Sequence, residues 1–367
     1  MTQQVQITSS PQYHDRLSTA RIMWIVSACL LPATAWGIYV FGLSALWAVL
    51  SSVAAAVAAE YVAGLALKRY TLADGSAVLT GLLVGMNMPP SIPLYIPVTA
   101  SIFAILVVKW TFGGLGSNWM NPALAGRVFV FFSWTGKMTT WAMPKTLPVV
   151  DGFSAATYLG IVKTGVTESS GPTGGPLALL QRAGFPHSSL DSSVTDWLNS
   201  TILEPLGITL PFGYVDPFVG NIPGSIGEIS ALLLLLGSVY LFARKIITWE
   251  IPSAYFLSFG LLTWVFGGTI YGTGAFTGDV LFHVVSGGFM LGVFYMATDM
   301  VSSAMTRRGQ LIYGLGAGFF TFLIRTYGSF PEGVSLAIIL MNVFVPLIDR
   351  LTRPSRFGVR QAQEADS

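Results

Sequence analysis

The chain has 367 residues, of which 53% are hydrophobic and only 10% are charged, and its formal net charge is +2. Soluble domains carry roughly 25% charged residues, so this composition, with several apolar runs of spanning length, predicts a polytopic membrane protein. The small net charge gives no indication of nucleic-acid binding. Cys29 is the only cysteine, which excludes an intrachain disulfide and a cysteine-ligated zinc or iron–sulfur site within this chain.

Ten apolar segments follow a polar N-terminal tail. They cover about 22–42, 44–67, 75–88, 92–111, 118–135, 226–243, 251–268, 280–297, 309–326 and 332–350. The third segment and some later ones are short or interrupted by Gly and Pro. Such interruptions are typical of discontinuous helices that line a site rather than face lipid.

Lysine and arginine are distributed asymmetrically about these segments. If the segments alternate, one side receives Arg16, Arg21, Lys68, Arg69, Lys109, Arg244, Lys245, Arg307, Arg308, Arg350, Arg353, Arg356 and Arg360, and the other only Lys137, Lys145, Lys163 and Arg182. The positive-inside rule then predicts cytoplasmic termini and an outer loop, which is periplasmic in a bacterial inner membrane. The predicted regions are a tail (1–21), a first membrane half (22–135), the loop (136–225), a second half (226–350) and a tail (351–367).

The two halves share a weak internal repeat. The ordered matches are Gly81–Gly85 with Gly288–Gly292, Gly116-Ser117 with Gly328-Ser329, and Leu124-Ala125 with Leu336-Ala337. Each half has five segments, an odd number, so the halves are expected to be inverted, with a site between them near the midplane. The alternative is that the spaced glycines only permit close helix packing. The predicted fold is therefore all-α, with about ten transmembrane segments in two inverted five-segment repeats that resemble the urea and ammonium transporter architecture.

The loop contains the stretch Asp151-Gly152-Phe153-Ser154-Ala155-Ala156-Thr157, which predicts an exposed, flexible turn. Gly152 relieves the backbone, and the two alanines leave room beside Thr157. A threonine hydroxyl needs an activating partner before it reacts, so attachment of a group here requires a dedicated transferase. The alternative is an ordinary loop rich in Ser and Thr that carries no chemistry.

This D-G-x-S-A-A-T pattern resembles the acceptor site of periplasmic flavin transferases, which join FMN through its phosphate to threonine. Over nearly its whole length the chain resembles the family that contains the D subunits of Rnf complexes and the homologous B subunits of Na⁺-translocating NADH:quinone reductases. The resemblance implies covalent FMN at Thr157, with Asp151 and Ser154 recognised by the transferase during attachment. It also implies a second, non-covalent flavin, riboflavin, within the membrane domain.

A second polar stretch contains Asn118, Trp119 and Asn121 ahead of Pro122. Asparagines three apart share one face at a helix start, and their amides offer donors and acceptors to an isoalloxazine edge. The resemblance associates both asparagines with riboflavin, and Trp119 is expected to supply an apolar wall. The alternative is a capping asparagine followed by an early proline.

Polar groups at membrane depth complete the candidate sites. Thr80 and Asn87 are candidates for an ion path, because an unwound helix end with free carbonyls can hold a cation; the alternative is a simple helix break. Arg127 lies mid-segment and is expected to contact an anionic group or a carbonyl of the second flavin. The acids expected to lie at the membrane interface are Glu60, Glu228, Asp279, Asp299 and Asp349.

The function that the resemblance implies is a flavoprotein subunit of a redox-driven ion translocase, a ferredoxin:NAD⁺ oxidoreductase of the Rnf type coupled to Na⁺ or H⁺ translocation. The chain carries no nucleotide-binding fingerprint. Partner subunits are therefore expected, namely a flavin-bearing G-type subunit, iron–sulfur and NADH-binding subunits and small membrane subunits. The alternative is an inverted-repeat transporter or channel for a small solute without a redox role.

Overall fold

The computed structural model describes residues 18–147, 156–169, 171–328, 330 and 332–354, and within these ranges the chain is helical without β-strands. The first half contains α1 (Thr19–Phe41), α2 (Leu43–Leu67), α3 (Ser76–Met86), α4 (Tyr95–Ile102), α5 (Pro122–Ser133) and α6 (Thr135–Met138). The predicted loop contains α7 (Tyr158–Glu168), α8 (Pro176–Arg182), α9 (Ser189–Leu198) and α10 (Val215–Val219). The second half contains α11 (Ala231–Ala243), α12 (Glu250–Ile270), α13 (Val280–Val285), α14 (Phe289–Leu291), α15 (Arg307–Tyr327) and α16 (Val334–Leu351).

Four of these helices, α1, α2, α12 and α16, are long and apolar enough to cross a membrane. Shorter apolar helices accompany them, including α3, α5, α11 and α4, which continues as a π-helix to Trp110. Each of the ten predicted apolar segments coincides with one helix or with two consecutive helices. The described chain is therefore an all-helical, polytopic membrane protein.

The third and eighth segments are interrupted helices. Helix α3 ends after 11 residues, because the two prolines at 89 and 90 cannot continue it. In the second half, α13 stops at Val285 and the backbone turns at Gly287, where φ is +68°, before α14 begins. Both interruptions therefore leave backbone groups that need partners from outside their own helix.

The end of α3 obtains those partners from the second half. The N–H of Gly227 donates to the carbonyl of Met86 at 2.8 Å, and the N–H of Ile226 donates to the carbonyl of Met88 at 3.1 Å. The expectation of free carbonyls at this helix end is therefore wrong, because the segment preceding α11 occupies them.

The helices of each half pack in a similar order. Helix α2 packs on α3 and α4, while α12 packs on α15, and the halves meet through α1 with α11 and α5 with α16. A Cβ added at Gly81 or Gly85 would lie only 2.7 or 2.9 Å from backbone Cα atoms of α2. Close packing of α3 on α2 is thus sufficient to explain these two glycines.

The predicted loop has its own polar centre around two buried aspartates. The Asp191 carboxylate accepts the N–H groups of Gly213 and Val215, and Asp216 accepts the N–H and hydroxyl of Ser188. Burial raises the pKa of Asp216 above its usual range, although the hydrogen bonds from Ser188 oppose this shift. These contacts fold the loop helices into a defined structure.

Candidate functional site

Thr157 is the N-cap of α7. Its Oγ1 accepts the N–H of Gly160 at 3.1 Å, which satisfies one of the free donors in the first helical turn. The residue is only 5% exposed, so the expected exposed turn is wrong at Thr157 itself, because capping draws the hydroxyl onto the helix. Asp151 and Ser154 lie outside the described residues.

A cavity of about 760 Å³, here called the Thr157 cavity, adjoins this residue. One face of α7 forms a wall through Thr157, Gly160, Thr164 and Thr167, which recur at helical spacing. The other lining side chains include aromatic and charged groups, namely Phe131, Trp141, Tyr327, Phe330, Arg127, Lys163 and Glu332. A Cβ at Gly160 would lie 3.1 Å from Thr157 Oγ1, so the glycine keeps the space beside the hydroxyl open.

Lys163 fixes α7 against the second half. Its Nζ donates to the carbonyls of Arg325 and Phe330, each at 3.2 Å, and to that of Gly328. These carbonyls lie at the C-terminal end of α15, where a cation is favoured by the helix dipole. Burial lowers the pKa of Lys163, and the carbonyl contacts favour the charged ammonium.

Arg127 occupies the centre of a buried ionic group that joins both halves, here called the Arg127 cluster. Its Nη1 donates to Asn87 Oδ1 at 2.9 Å, Glu228 Oε1 at 3.0 Å and Ser335 Oγ at 2.6 Å. Its Nη2 donates to Glu332 Oε2 at 2.5 Å. These four acceptors come from the end of α3, from the segments before α11 and α16, and from α16 itself.

The Arg127 cluster bears on two expectations. Glu228 is 3% exposed, so the expected solvation at an interface is wrong, because its carboxylate pairs with the buried arginine. Arg127 lines the Thr157 cavity and not the cavity that contains the two asparagines. Its expected contact with an anionic group is met by Glu228 and Glu332, and its contact with the second flavin stays a prediction.

Asn118 and Asn121 do line one common cavity, of about 100 Å³, here called the Asn118 cavity. Asn118 is buried, and its Nδ2 donates to the carbonyl of Met120 at 3.3 Å, while its Oδ1 has no partner among the described residues. Asn121 is the N-cap of α5: its Oδ1 accepts the N–H groups of Ala123 and Leu124. Capping thus accounts for Asn121, whereas Asn118 retains a free acceptor.

Trp119 does not form a wall of the Asn118 cavity. It is 44% exposed and packs edge-on against Phe112, with ring centroids 6.1 Å apart. Helix α5 begins only at Pro122, so residues 118 to 120 do not follow helical periodicity, and a contact of Trp119 with the second flavin stays a prediction.

The two ion-path candidates lie in different surroundings. Thr80 lines the Asn118 cavity. Asn87 instead belongs to the Arg127 cluster, and its Nδ2 donates to the carbonyl of Leu83 at 2.6 Å. No cavity described for the chain is lined by both Thr80 and Asn87. An ion path that passes both residues therefore stays a prediction.

Other acids expected at the interface have specific partners. Glu60 is 1% exposed and pairs with Lys109 at 2.8 Å and with Trp110 Nε1 at 2.8 Å, so its interfacial placement is wrong. Asp279 caps α13 through the N–H of Phe282. The signal that could have identified Glu60 and Glu228 is an acid next to or inside an apolar run, which requires a buried counter-charge.

Comparison with known proteins identifies the family. The sequence profile of the NQR2, RnfD, RnfE family matches residues 6–358. The D subunit of a proton-translocating ferredoxin:NAD(+) oxidoreductase complex from Clostridium ljungdahlii is 43% identical over 97% of this chain and 96% of its own length. The D subunit of a Na(+)-translocating ferredoxin:NAD(+) oxidoreductase complex from Acetobacterium woodii is 40% identical over 98% and 96%.

A third relative is the D subunit of an ion-translocating oxidoreductase complex from Stutzerimonas stutzeri, at 38% identity over 94% of this chain and 93% of its own length. The match to the family therefore covers almost the whole chain. The resemblance inferred from the sequence motifs is thereby confirmed, and the chain belongs to the NQR2, RnfD, RnfE family.

Proposed function

We propose that this chain is the membrane flavoprotein subunit of a redox-driven ion translocase, an Rnf-type ferredoxin:NAD⁺ oxidoreductase complex, with FMN esterified through its phosphate to Thr157. The names of relatives at 43% and 40% identity support the type of complex. The observation that carries the flavin assignment is the position of the Thr157 hydroxyl beside a cavity of about 760 Å³, since cofactor pockets measure roughly 300–1,000 Å³.

The residues around Thr157 fit a flavin phosphate. Helix α7 has 11 residues, and the N-terminus of a helix attracts a phosphate through its free N–H groups and its dipole. The N–H of Gly160 is placed to donate there. Aromatic side chains such as Trp141 and Tyr327 line the cavity and suit a planar ring system. FMN, when attached, supplies one- and two-electron transfer, while the chain orients it and sets its electrostatic surroundings.

The buried state of Thr157 has a consequence for attachment. A transferase needs access to the hydroxyl, which in the folded chain is 5% exposed and bonded to Gly160. The first turn of α7 must therefore open before the ester forms. Helix ends open at low free-energy cost, so attachment is compatible with an otherwise folded membrane domain.

In-gel fluorescence of the full chain, produced together with a flavin transferase, tests this proposal. A covalent flavin survives denaturation, so the wild-type band fluoresces under ultraviolet light and the Thr157→Val band is dark. Thr164→Val is the matched control, because Thr164 lines the same cavity and its band keeps its fluorescence. A dark wild-type band, or a bright Thr157→Val band, contradicts the proposal, and the dark wild type would favour a transporter without a redox role.

We also propose that the ten apolar segments form two inverted repeats, with cytoplasmic termini, residues 136–225 on the periplasmic side and the bacterial inner membrane as location. The contacts of α1 with α11 and of α5 with α16 support this, since equivalent helices then meet between the halves. Cysteine labelling in a Cys29→Ser background tests the topology. A membrane-impermeant reagent should label Ser193→Cys in intact spheroplasts, and Arg244→Cys only after permeabilisation; the reverse pattern refutes the orientation.

The second flavin, riboflavin, is proposed for the Asn118 cavity. The free Oδ1 of Asn118 supports this, because it suits the imide N–H of a flavin. The volume of about 100 Å³ does not accommodate a whole flavin, so binding requires α1, α3 and α11 to separate. Acid extraction and chromatography provide the test: Asn118→Leu should lose riboflavin with FMN unchanged, whereas Trp119→Phe should keep both.

The other subunits of the proposed complex would supply the metal and iron–sulfur centres that the described part of this chain does not provide. Among the residues described, no cluster of His, Cys, Asp and Glu could hold a metal ion, and the single Cys29 cannot ligate an iron–sulfur cluster. Partners are therefore proposed to be iron–sulfur, NADH-binding, flavin-bearing G-type and small membrane subunits. Affinity purification of the tagged full chain from its native membrane should recover iron and NADH-oxidising activity; recovery of neither would contradict this assignment.

A further inference from the structure

Arg325 is a buried cation without a carboxylate partner among the described residues. It lies near the end of α15, is 7% exposed, and donates from Nη1 to the carbonyl of His283 at 2.6 Å and from Nη2 to that of Ser286 at 3.3 Å. Its guanidinium faces the rings of Phe259 and Phe289 at 5.4 and 5.7 Å. Its Nε has no acceptor within the same part of the chain.

Thr263, on the neighbouring α12, also has a buried polar atom without a hydrogen-bond partner. It is 2% exposed, and its Oγ1 also has no partner among the described residues. Arg325 and Thr263 line one cavity of about 110 Å³, here called the Arg325 cavity, which α7, α12, α13 and α15 enclose. Two residues from different helices, each with an unsatisfied donor, therefore line one cavity.

Two cations, Arg325 and Lys163, line the Arg325 cavity, and no carboxylate of the described residues does. The nearby acids Glu228 and Glu332 are in contact with Arg127 instead. Burying a charge with no carboxylate in contact is costly, and an unsatisfied buried donor adds to that cost. A negatively charged ligand would remove both costs.

The size and walls of the cavity restrict that ligand. Its volume of about 110 Å³ lies below the roughly 300–1,000 Å³ of pockets for larger ligands, so a small anion fits the cavity better than a nucleotide does. Apolar walls from Val162, Ile270 and Phe322 suit a short hydrocarbon group. A carboxylate with a short apolar end combines both features.

We propose that the Arg325 cavity binds a small monocarboxylate, and that the side chains of Arg325 and Thr263 turn so that Nε and Oγ1 donate to its oxygens. The ligand enters from the aqueous side, because Lys163, Thr167 and Thr326 line both this cavity and the Thr157 cavity. The bound anion neutralises Arg325 and thereby changes the charge beside the Thr157 cavity. This site does not depend on whether Thr157 carries a flavin.

Thermal unfolding of the purified full chain in detergent tests the proposal, with acetate as the probe. Unfolding midpoints are compared in sodium acetate and in sodium gluconate at equal pH and ionic strength, since gluconate is too large for the cavity. The wild type should show a saturable rise in midpoint of about 2–4 °C in acetate, because ligand that binds only the folded state stabilises it.

Two variants and a matched control make the result specific. Thr263→Val keeps the side-chain shape but removes the hydroxyl, and Arg325→Met removes the charge, so both should lose the acetate effect. Thr269→Val, at an exposed position of the same helix, should retain it. Equal wild-type midpoints in the two salts would overturn the proposal, as would an acetate effect that persists in Thr263→Val. The valine variant decides the outcome if Arg325→Met does not fold.

Discussion

Arg127 and Arg325 are equally buried, each 7% exposed, yet their surroundings differ. Arg127 contacts the carboxylates of Glu228 and Glu332. Arg325 contacts two backbone carbonyls and two aromatic rings instead. A buried cation can thus be accommodated by opposite charge or by neutral dipoles, and the two arrangements have different consequences when the arginine is removed.

The two arginines also connect different parts of the molecule. The acceptors of Arg127 come from α3 in the first half and from Glu228, Glu332 and Ser335 in the second. The contacts of Arg325 with carbonyls and rings lie within the second half. Of these two arginines, the one that contacts carboxylates lies where the halves meet, and the one that contacts dipoles lies inside one half.

Arg127→Met should have the largest effect on stability. It leaves two carboxylates without their counter-charge at the contact between the halves, and breaking a buried pair in this way costs about 3–5 kcal/mol. The measurement is the unfolding midpoint of the purified full chain in detergent. Arg244→Met is the control: this arginine is exposed, and surface substitutions usually change stability by less than about 0.5 kcal/mol. Similar midpoints for both variants would contradict the structural role of the cluster.

Arg325→Met should have a smaller effect, of about 1–3 kcal/mol. It leaves the carbonyls of His283 and Ser286 without donors but creates no unpaired carboxylate. The same unfolding assay, in a carboxylate-free buffer, ranks the two variants. An Arg325→Met loss that equals or exceeds that of Arg127→Met would show that dipoles and rings hold the cation as firmly as carboxylates do.

The sequence identified the membrane class and the helical segments, because apolar runs depend only on local composition. It also indicated Thr157 through its motif and Arg127 through its position within an apolar run, because both signals can be read from the sequence alone. It placed Glu228 at the interface wrongly because that residue is stabilised by Arg127, about a hundred positions away in the chain. A partner at that separation cannot be recognised without the fold.

The asparagine stretch shows the same limit at short range. Periodicity assumed a helix from residue 118, but the helix begins at Pro122. Asn121 is therefore the N-cap of α5, and Trp119 is exposed. Of the two asparagines that line the cavity, only Asn118 has a free acceptor. The Arg325 cavity could not be anticipated either, because Thr263 is one ordinary residue in an apolar run until α12 meets α15.

A double-mutant cycle sharpens the comparison between the arginines. Arg127→Met and Glu228→Gln should show a coupling of about 0.5–3 kcal/mol, as expected for residues in one ionic network. Arg325→Met and Glu228→Gln should show a smaller coupling, since those side chains interact only through space and share no hydrogen bond. Coupling of equal size in both cycles would mean that the Arg127 cluster includes Arg325 electrostatically.

Asp216 extends the comparison to a buried anion outside the apolar segments, and the smallest effect is expected there. Like Arg325 it has neutral hydrogen-bond partners, among them Ser188 and Asn221, and burial raises its pKa. A carboxyl with a raised folded pKa stabilises the fold fully below its unfolded pKa of about 3.9, and this contribution is lost as pH rises through the folded pKa.

Hydrogen exchange of amides 188–221 should therefore show falling protection as pH increases above the unfolded pKa, after correction for intrinsic exchange. In Asp216→Asn the pH dependence should be weaker. Protection that rises with pH in the wild type would mean that the Ser188 hydrogen bonds outweigh burial.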